Sequence, residues 1–112
     1  MTSKDCLFCS IIKGELATQK VLETENVLAI YDVNPVAKIH ILIIPKKHIE
    51  SVMTVSDVHA NDLVDLFEVA QKIVEDRKLD AFRLAFNGGK YAHVAHLHMH
   101  LLAGGKVEWS KL

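Results

Sequence analysis

The sequence predicts an α+β fold in which an antiparallel β-sheet is covered by one long helix, with a short helix at the amino terminus. From Ser56 to about Arg77, apolar residues recur at three- and four-residue steps, which indicates one long amphipathic helix. Shorter apolar runs bounded by turn-forming residues predict strands on either side of it. The 112 residues contain no repeat or linker, so residues 1–112 are expected to form a single domain.

The elements are expected in the order helix, three strands, long helix, two strands. Asp5 is a suitable N-cap for a first helix that runs from about Cys6 to Lys13, and Gly14 can end it. The nearly continuous apolar run at 40–45 indicates a strand that is buried on both faces. Strands are expected at residues 20–23, 27–31, 40–45 and 81–86, and across the histidine-rich segment that precedes Gly104 and Gly105.

The most informative segment lies near the carboxyl end and is rich in histidine. His96, His98 and His100 occupy every second position and alternate with apolar residues. A strand directs successive side chains to opposite faces, so this spacing puts three imidazoles on one face and the apolar residues in the core. Such a row is expected to be functional, because perturbed histidines concentrate at metal and phosphoryl sites. The preceding residues 87–90, Asn-Gly-Gly-Lys, lack the spacing of a phosphate-binding loop and predict a hairpin turn.

Composition argues against several classes of partner. Thirteen basic and fourteen acidic side chains give a net charge of −1, so no overall field attracts the chain to nucleic acid or to a membrane surface. No apolar run approaches the roughly 18 residues that a membrane span needs. The first residues lack the apolar stretch of a signal peptide, and a cytoplasmic location is expected.

The two cysteines are Cys6 and Cys9. A Cys-x-x-Cys pair in a reducing compartment is more often a metal site or a redox pair than a structural disulfide. The sequence has no second such pair, so a zinc ion would take its remaining ligands from histidines. The spacing of the cysteines alone leaves zinc binding and no metal equally open.

The residues His-Leu-His-Met-His-Leu-Leu at 96–102 fit the His-φ-His-φ-His-φ-φ signature, where φ is apolar, of the histidine triad superfamily of nucleotide hydrolases and transferases. Three other segments resemble its Hint branch in the same order along the chain. They are Asp-Cys-Leu-Phe-Cys at 5–9, Ala-Ile-Tyr-Asp-Val-Asn-Pro at 29–35, and His-Ile-Leu-Ile-Ile-Pro-Lys-Lys-His-Ile at 40–49. Trp109 lies near a carboxy-terminal tryptophan that the branch often has. The resemblance covers nearly the whole chain and implies the α+β fold expected above.

The resemblance also implies catalytic roles. His98, as the middle histidine, would be the nucleophile that attacks the α-phosphorus of a nucleoside phosphoramidate and forms a nucleotidyl-histidine. His100 would donate to the phosphate oxygens. His40 would reach the same pocket, although a core histidine bonded to the backbone is the alternative.

A purine nucleotide is the implied ligand. Asp32 would accept the ribose hydroxyls, and Ile30 and Val33 would be apolar walls for the base. Asp32 is equally suited to the turn before Asn34-Pro35. Asn87 matches an asparagine on the phosphate side of the pocket, although turns favour asparagine in any case.

The resemblance further implies a structural zinc ion held by Cys6, Cys9, His48 and His96. It would tie the amino-terminal helix to the sheet and would not take part in the reaction. A homodimer is also implied, formed through the long helix and the strand at 81–86.

One segment departs from the Hint pattern. The residues Gly-Gln-Ser-Val that precede the triad in that branch are replaced here by Tyr91-Ala92-His93-Val94, and the loop is about two residues shorter. His93 either replaces the serine as a phosphate donor or points to solvent. The departure favours an alternative function, a nucleotide-binding regulatory module with vestigial catalysis that acts through a protein partner, whereas the intact triad favours the hydrolase. A dinucleoside polyphosphate hydrolase is a further alternative, which the Cys-x-x-Cys start disfavours.

Overall fold

The computed structural model describes residues 6–112, so Asp5, the predicted helix cap, lies outside the described residues. Helix α1 spans Leu7–Ile12. Cys6 is its N-cap, and the Cys6 sulfur accepts a hydrogen bond from the backbone N–H of Cys9 at 3.3 Å. Gly14 follows the helix with a φ of +82°, in the left-handed region that commonly ends helices. The predicted helix is therefore confirmed, with a cysteine at the cap position.

Within residues 6–112, five strands form one antiparallel sheet in the order β1-β2-β3-β5-β4. The predicted α+β fold and each predicted strand region are confirmed. In particular, the third strand is buried along almost its whole length, as its apolar run predicts. The strands are β1 Lys20–Glu23, β2 Val27–Tyr31, β3 Ile39–Pro45, β4 Arg83–Ala85 and β5 Met99–Ala103.

The long helix α2 spans Ala60–Asp76 and packs on one face of the sheet. A 3₁₀ turn at Asp57–His59, begun by Ser56, precedes it, so the α-helix starts four residues later than Ser56. Its buried stripe repeats at three- and four-residue steps, which is the pattern that predicted the helix. This stripe consists of Leu66, Val69, Ala70 and Ile73.

The two faces of the sheet carry separate apolar clusters. On β3, Ile41 and Ile43 point to the α2 face, whereas Leu42 and Ile44 point to the other face. That second face is covered by α1, whose Phe8 packs against it. Because side chains alternate along a strand, His40 shares the face of Leu42 and Ile44. The histidines therefore lie on the α1 side of the sheet, away from α2.

Two expectations about the carboxyl-terminal third were wrong. Strand β5 begins at Met99, so His98 lies just before it and His96 in a bend further back, and His100 alone of the three is in the strand. Nearby, the backbone N–H of Leu97 donates to the carbonyl of Ile49 at 2.6 Å, a partner outside the sheet. The residues 87–90 do not form a tight hairpin: a 3₁₀ turn at Gly89–Tyr91 is part of a longer connection between β4 and β5.

Strand β5 ends at Gly104 and Gly105, as expected. Both have positive φ angles, +94° and +109°. A Cβ atom at Gly104 would lie 2.7 Å from the Cβ of Lys38, a distance that real contacts do not reach. Glycine is therefore required at this position both by the backbone conformation and by the close approach of the Lys38 side chain.

Among the described residues, the helices are too short or too polar for any of them to cross a membrane.

Candidate functional site

A cleft of about 590 Å³ opens on the α1 side of the sheet. This volume falls within the range of small-molecule sites. Residues from α1, from β2 and the turn after it, from β3, and from the segment leading into β5 line the cleft, and so does the carboxyl-terminal tail. Its ionisable side chains are Tyr31, Asp32, His40, His93, His98, His100 and Lys111.

His98 is held in one orientation by its backbone and by a neighbouring ring. Its Nδ1–H donates to the carbonyl oxygen of His96 at 2.7 Å. The edge of Phe8 packs against the imidazole, with ring centroids 4.9 Å apart. Burial lowers the pKa of His98 and keeps the ring neutral. Since Nδ1 carries the proton, Nε2 carries the free lone pair, which is the electronic state that a nucleophile needs.

His40 and His100 form a second, directional unit across the pair β3–β5. The backbone N–H of Val36 donates to His40 Nδ1 at 3.1 Å, so the neutral ring carries its proton on Nε2. That Nε2–H donates to Nδ1 of His100 at 2.9 Å. His100 therefore accepts on Nδ1 and carries its own proton on Nε2. Burial, reinforced by the neighbouring histidines, lowers the pKa of His100 to about 3, and burial likewise lowers the pKa of His40.

Asp32 shapes the turn, which is one of the two roles that the sequence left open, and it also lies at the wall of the cleft. One oxygen, Oδ1, accepts the backbone N–H of Asn34 at 2.7 Å and so shapes the turn after β2. The other, Oδ2, lies 3.3 Å from His40 Nε2 at the wall of the cleft. For His40, the two alternatives do not exclude each other. The residue is buried and bonded to the backbone, and it also lines the cleft.

Of the remaining residues predicted to contact the nucleotide, three line the cleft and one does not. Ile30 is buried and Val33 is 86% exposed, and both line the cleft. His93 also lines the cleft, and its side chain is exposed. Asn87 lies outside the cleft-lining residues: its amide nitrogen is 3.4 Å from His100 Nε2 and donates to the carbonyl of Leu112 at 3.1 Å.

Next to the cleft, four side chains that can bind a metal ion converge. Cys6, Cys9, His48 and His96 present donor atoms that all lie within 4.8 Å of one another. Nδ1 of His96 is 3.2 Å from the Cys6 sulfur and 3.5 Å from the Cys9 sulfur, and Nδ1 of His48 is 3.2 Å from the Cys9 sulfur. Two thiols and two imidazoles could therefore share one metal ion.

The protonation of this cluster suits a metal. Nε2–H of His96 donates to the carbonyl of Pro45 at 2.8 Å, which leaves the Nδ1 lone pair directed toward the sulfurs. Burial lowers the pKa of His96 to about 4, so the ring is neutral. Burial also raises the pKa of the Cys6 thiol, a cost that coordination to a cation would offset. The predicted four-residue set is thus brought together by the fold.

Comparison with known proteins agrees with this geometry. The family described as scavenger mRNA decapping enzyme C-term binding matches residues 5–111. A histidine triad protein from Clostridium difficile superposes with a TM-score of 0.89 at 40% identity and covers 96% of each chain. The chain belongs to the histidine triad superfamily.

Other members of the superfamily are similar over most of the chain. A HIT family hydrolase from Legionella pneumophila superposes with a TM-score of 0.88 at 38% identity, covering 96% of this chain and 100% of that one. The adenosine 5'-monophosphoramidase of Saccharomyces cerevisiae is 38% identical over 99 residues, which are 87% of this chain and 61% of the yeast protein. An uncharacterised HIT-like protein from Helicobacter pylori is 40% identical over 103 residues, 89% of this chain and 97% of its own length.

The histidine triad divides between two sites in this structure. His96 turns to the two thiols, whereas His98 and His100 line the cleft with their ring centroids 4.9 Å apart. Phe8 contacts both His96 and His98, so its ring lies between the two sites.

Sequence reasoning missed two walls of the cleft. The outer face of α1 contributes Leu7 and Ile11, and Leu7 is 47% exposed. An exposed leucine on a short apolar helix is a signal that could have identified this wall. The tail contributes Lys111 and Leu112, for which the sequence carries no comparable signal.

Proposed function

We propose that this protein is a hydrolase of purine nucleoside phosphoramidates, or of related nucleotidyl substrates, that acts through a covalent nucleotidyl-histidine and releases AMP or GMP. The observation that carries this proposal is the state of His98: its Nδ1–H is engaged by a backbone carbonyl, and the free lone pair is on Nε2 in a cleft-lining ring. The yeast relative described as an adenosine 5'-monophosphoramidase supports the same substrate class.

In the first step, the Nε2 lone pair of His98 attacks the α-phosphorus and the bond to the leaving group breaks. The product is a nucleotidyl-imidazolium, and the His96 carbonyl stabilises its positive charge through the Nδ1–H bond. His100 donates its Nε2–H to a phosphate oxygen, where negative charge accumulates. His40 keeps His100 in the tautomer that can donate, since its own Nε2–H occupies His100 Nδ1. Water then hydrolyses the intermediate.

We assign nucleoside recognition to the turn after β2. Asp32 offers carboxylate oxygens to the two ribose hydroxyls, and Oδ1 keeps a lone pair beyond the one that accepts from Asn34. Ile30 and Val33 would pack on the base, and Asn87 and His93 would lie toward the phosphate.

The decisive experiment compares the wild type with His98→Ala on an adenosine phosphoramidate, with intact mass used to detect adenylate on the protein. We expect AMP release and a transient adenylyl adduct in the wild type, and neither in the variant. His59→Ala, which removes a histidine outside the cleft, is the matched control and is expected to behave as the wild type. AMP release by His98→Ala at the wild-type rate would contradict the proposal.

A nucleotide-binding module with vestigial catalysis is the second candidate. It is favoured by the exposed His93, which stands where the Hint branch has a serine. AMP binding without turnover in the wild type would support this candidate over the hydrolase.

We also propose that the cluster of Cys6, Cys9, His48 and His96 holds a structural zinc ion. Two thiolates and two neutral imidazoles are a typical zinc donor set, and these four donor atoms converge, with the backbone N–H of Cys9 as a further partner of the Cys6 sulfur. When bound, zinc would supply a cross-link between α1 and the segment that carries His98.

Metal analysis of the purified protein tests the zinc assignment. We expect one zinc ion per chain, and its loss in Cys9→Ala together with a lower unfolding temperature. Ser10→Ala, on the same helix, is the matched control and should retain the ion. Equal zinc content in Cys9→Ala and the wild type would refute the assignment.

We propose, finally, that the protein is a homodimer that forms through α2 and the strand at 81–86, and that it acts in the cytoplasm. The first part is supported by apolar side chains left exposed on these elements. Strand β4 is an edge of the sheet, where Phe82 and Leu84 are exposed, and Val64 and Phe67 are exposed on α2.

A further inference from the structure

One imidazole of the cleft differs from the other three in its surroundings. His40, His98 and His100 are buried, whereas His93 is exposed at the mouth, on the connection between β4 and β5. Nevertheless it lies close enough to His98 and His100 for its charge to lower the pKa of both rings. His93 thus faces both solvent and the cleft that His98 and His100 line.

The reaction proposed above lacks a proton donor among the buried rings. When the bond between phosphorus and nitrogen breaks, the electron pair stays on the leaving nitrogen, and an amine anion is too basic to depart without a proton. The proton of His98 is held by the His96 carbonyl, and that of His40 by His100. The Nε2–H of His100 is committed to the phosphate oxygens, so none of the three protons is available.

Lys111 is the other basic side chain that lines the cleft. Its ammonium lies 3.9 Å from the carboxylate of Glu108. An ammonium group has three hydrogen-bond donors and no acceptor, so it offers no lone pair with which to accept a proton from water. The second step requires that acceptance. An imidazole can perform both transfers, because a ring nitrogen that has given up its proton keeps a lone pair with which to accept another.

We propose that His93 is the general acid and base of this reaction, and that it selects substrates whose leaving group must be protonated, such as amines. In the first step, protonated His93 transfers its proton to the leaving nitrogen while the His98 Nε2–phosphorus bond forms. In the second step, neutral His93 takes a proton from the attacking water. The His98–phosphorus bond then breaks, its electron pair returns to Nε2, and AMP and protonated His93 result. This proposal rests on the proposed hydrolase function.

Two adenosine substrates that differ in their leaving group test the role of His93. One is an N-alkyl phosphoramidate of adenosine, whose amine needs a proton. The other is the p-nitrophenyl ester of AMP, whose nitrophenolate departs as an anion. The variants are His93→Gln, which keeps a hydrogen-bond donor but cannot exchange protons, and His93→Ala. Because the side chain is exposed, both variants are expected to unfold at the wild-type temperature.

For the phosphoramidate, we expect kcat/KM to fall by about 10²- to 10⁴-fold in both variants. For the nitrophenyl ester, kcat/KM should change little. This ratio reports the step in which the leaving group departs, and nitrophenolate departs without a proton. The adenylyl adduct should instead accumulate on the variants with this ester, because its hydrolysis has lost the base.

Equal losses of kcat/KM on both substrates would overturn the inference and would leave His93 as a phosphate contact. A phosphoramidate kcat/KM retained by His93→Gln would overturn it as well. If the wild type turned over neither substrate, the hydrolase proposal itself would fail and the role of His93 would fail with it. The first two outcomes, in contrast, occur with an active wild type.

Discussion

Acidification from pH 7 to pH 5 is expected to destabilise this fold through His100. The ring is 4% exposed, and burial together with its histidine neighbours lowers its pKa from 6.5 to about 3. The unfolded chain therefore binds a proton at a higher pH than the folded protein does. As a result, stability present above pH 6.5 is lost as the pH falls toward 3. Between pH 6.5 and pH 5, at about 1.36 kcal/mol per pH unit, the loss from this one residue is about 2 kcal/mol.

Urea unfolding at pH 7 and pH 5, followed by far-UV circular dichroism, measures this effect. The control is His100→Gln, which has no titrating ring at this position. Since folded His100 is neutral throughout this range, the replacement does not change the charge near the other histidines. The other histidines should therefore contribute the same pH dependence to the free energy of unfolding in both proteins. From pH 7 to pH 5, the free energy of unfolding should fall by about 2 kcal/mol more in the wild type than in His100→Gln. Equal losses in the two proteins would refute the reasoning.

Three further predictions concern the turn after β5, the sheet edge and the ribose contact. In urea unfolding, Gly104→Ala should lower the free energy of unfolding by at least about 1–2 kcal/mol, because the positive φ of this residue and the steric overlap with Lys38 act together. Gly88 has open space around it and a negative φ, so the control Gly88→Ala should be nearly neutral. Leu84→Arg should convert the proposed dimer to a monomer in sedimentation equilibrium, and Met53→Arg, exposed on another surface, should not; an unchanged mass for Leu84→Arg would remove this edge from the interface. In calorimetry, Asp32→Asn should weaken AMP binding by about 1.5–3 kcal/mol but leave the binding of 2',3'-dideoxy-AMP, which lacks both ribose hydroxyls, nearly unchanged. Equal losses of binding free energy for the two ligands would show that the carboxylate does not bind the ribose.

Strands and the long helix could be predicted because their signals are local. The apolar run of β3 and the stripe of α2 each appear within one window of sequence. The start of β5 could not be predicted in this way. Alternation of side chains describes any extended chain, whether or not its backbone is paired, and the pairing of β5 begins only at Met99, opposite Ile43. The alternation predicted three imidazoles on one face; in the structure His98 and His100 line the cleft, whereas His96 turns to the thiols.

The composition of the cleft was predictable only in part, for a similar reason. A motif identifies the residues that it contains, such as Asp32 and His98. It does not say which surface a tail will cover. Here the tail is positioned by distant contacts: the N–H of Glu108 donates to the carbonyl of Val36 at 2.8 Å, and the guanidinium of Arg83 lies 5.5 Å from the Trp109 ring centroid. Neither partner is close to the tail in sequence, so the wall formed by Lys111 and Leu112 had no local signal.

The separation of the two sheet faces has a consequence for how this protein can vary. Ile41 and Leu42 are adjacent in sequence, but the first packs under α2 and the second lines the cleft. Substitutions that conserve volume beneath α2 should therefore alter melting temperature with little change in turnover. Comparable substitutions at Leu42 should alter the binding of the proposed nucleotide substrate. A library that randomises Ile41, Leu42 and Ile43 would thus yield stability variants at the first and third positions and cleft variants at the second.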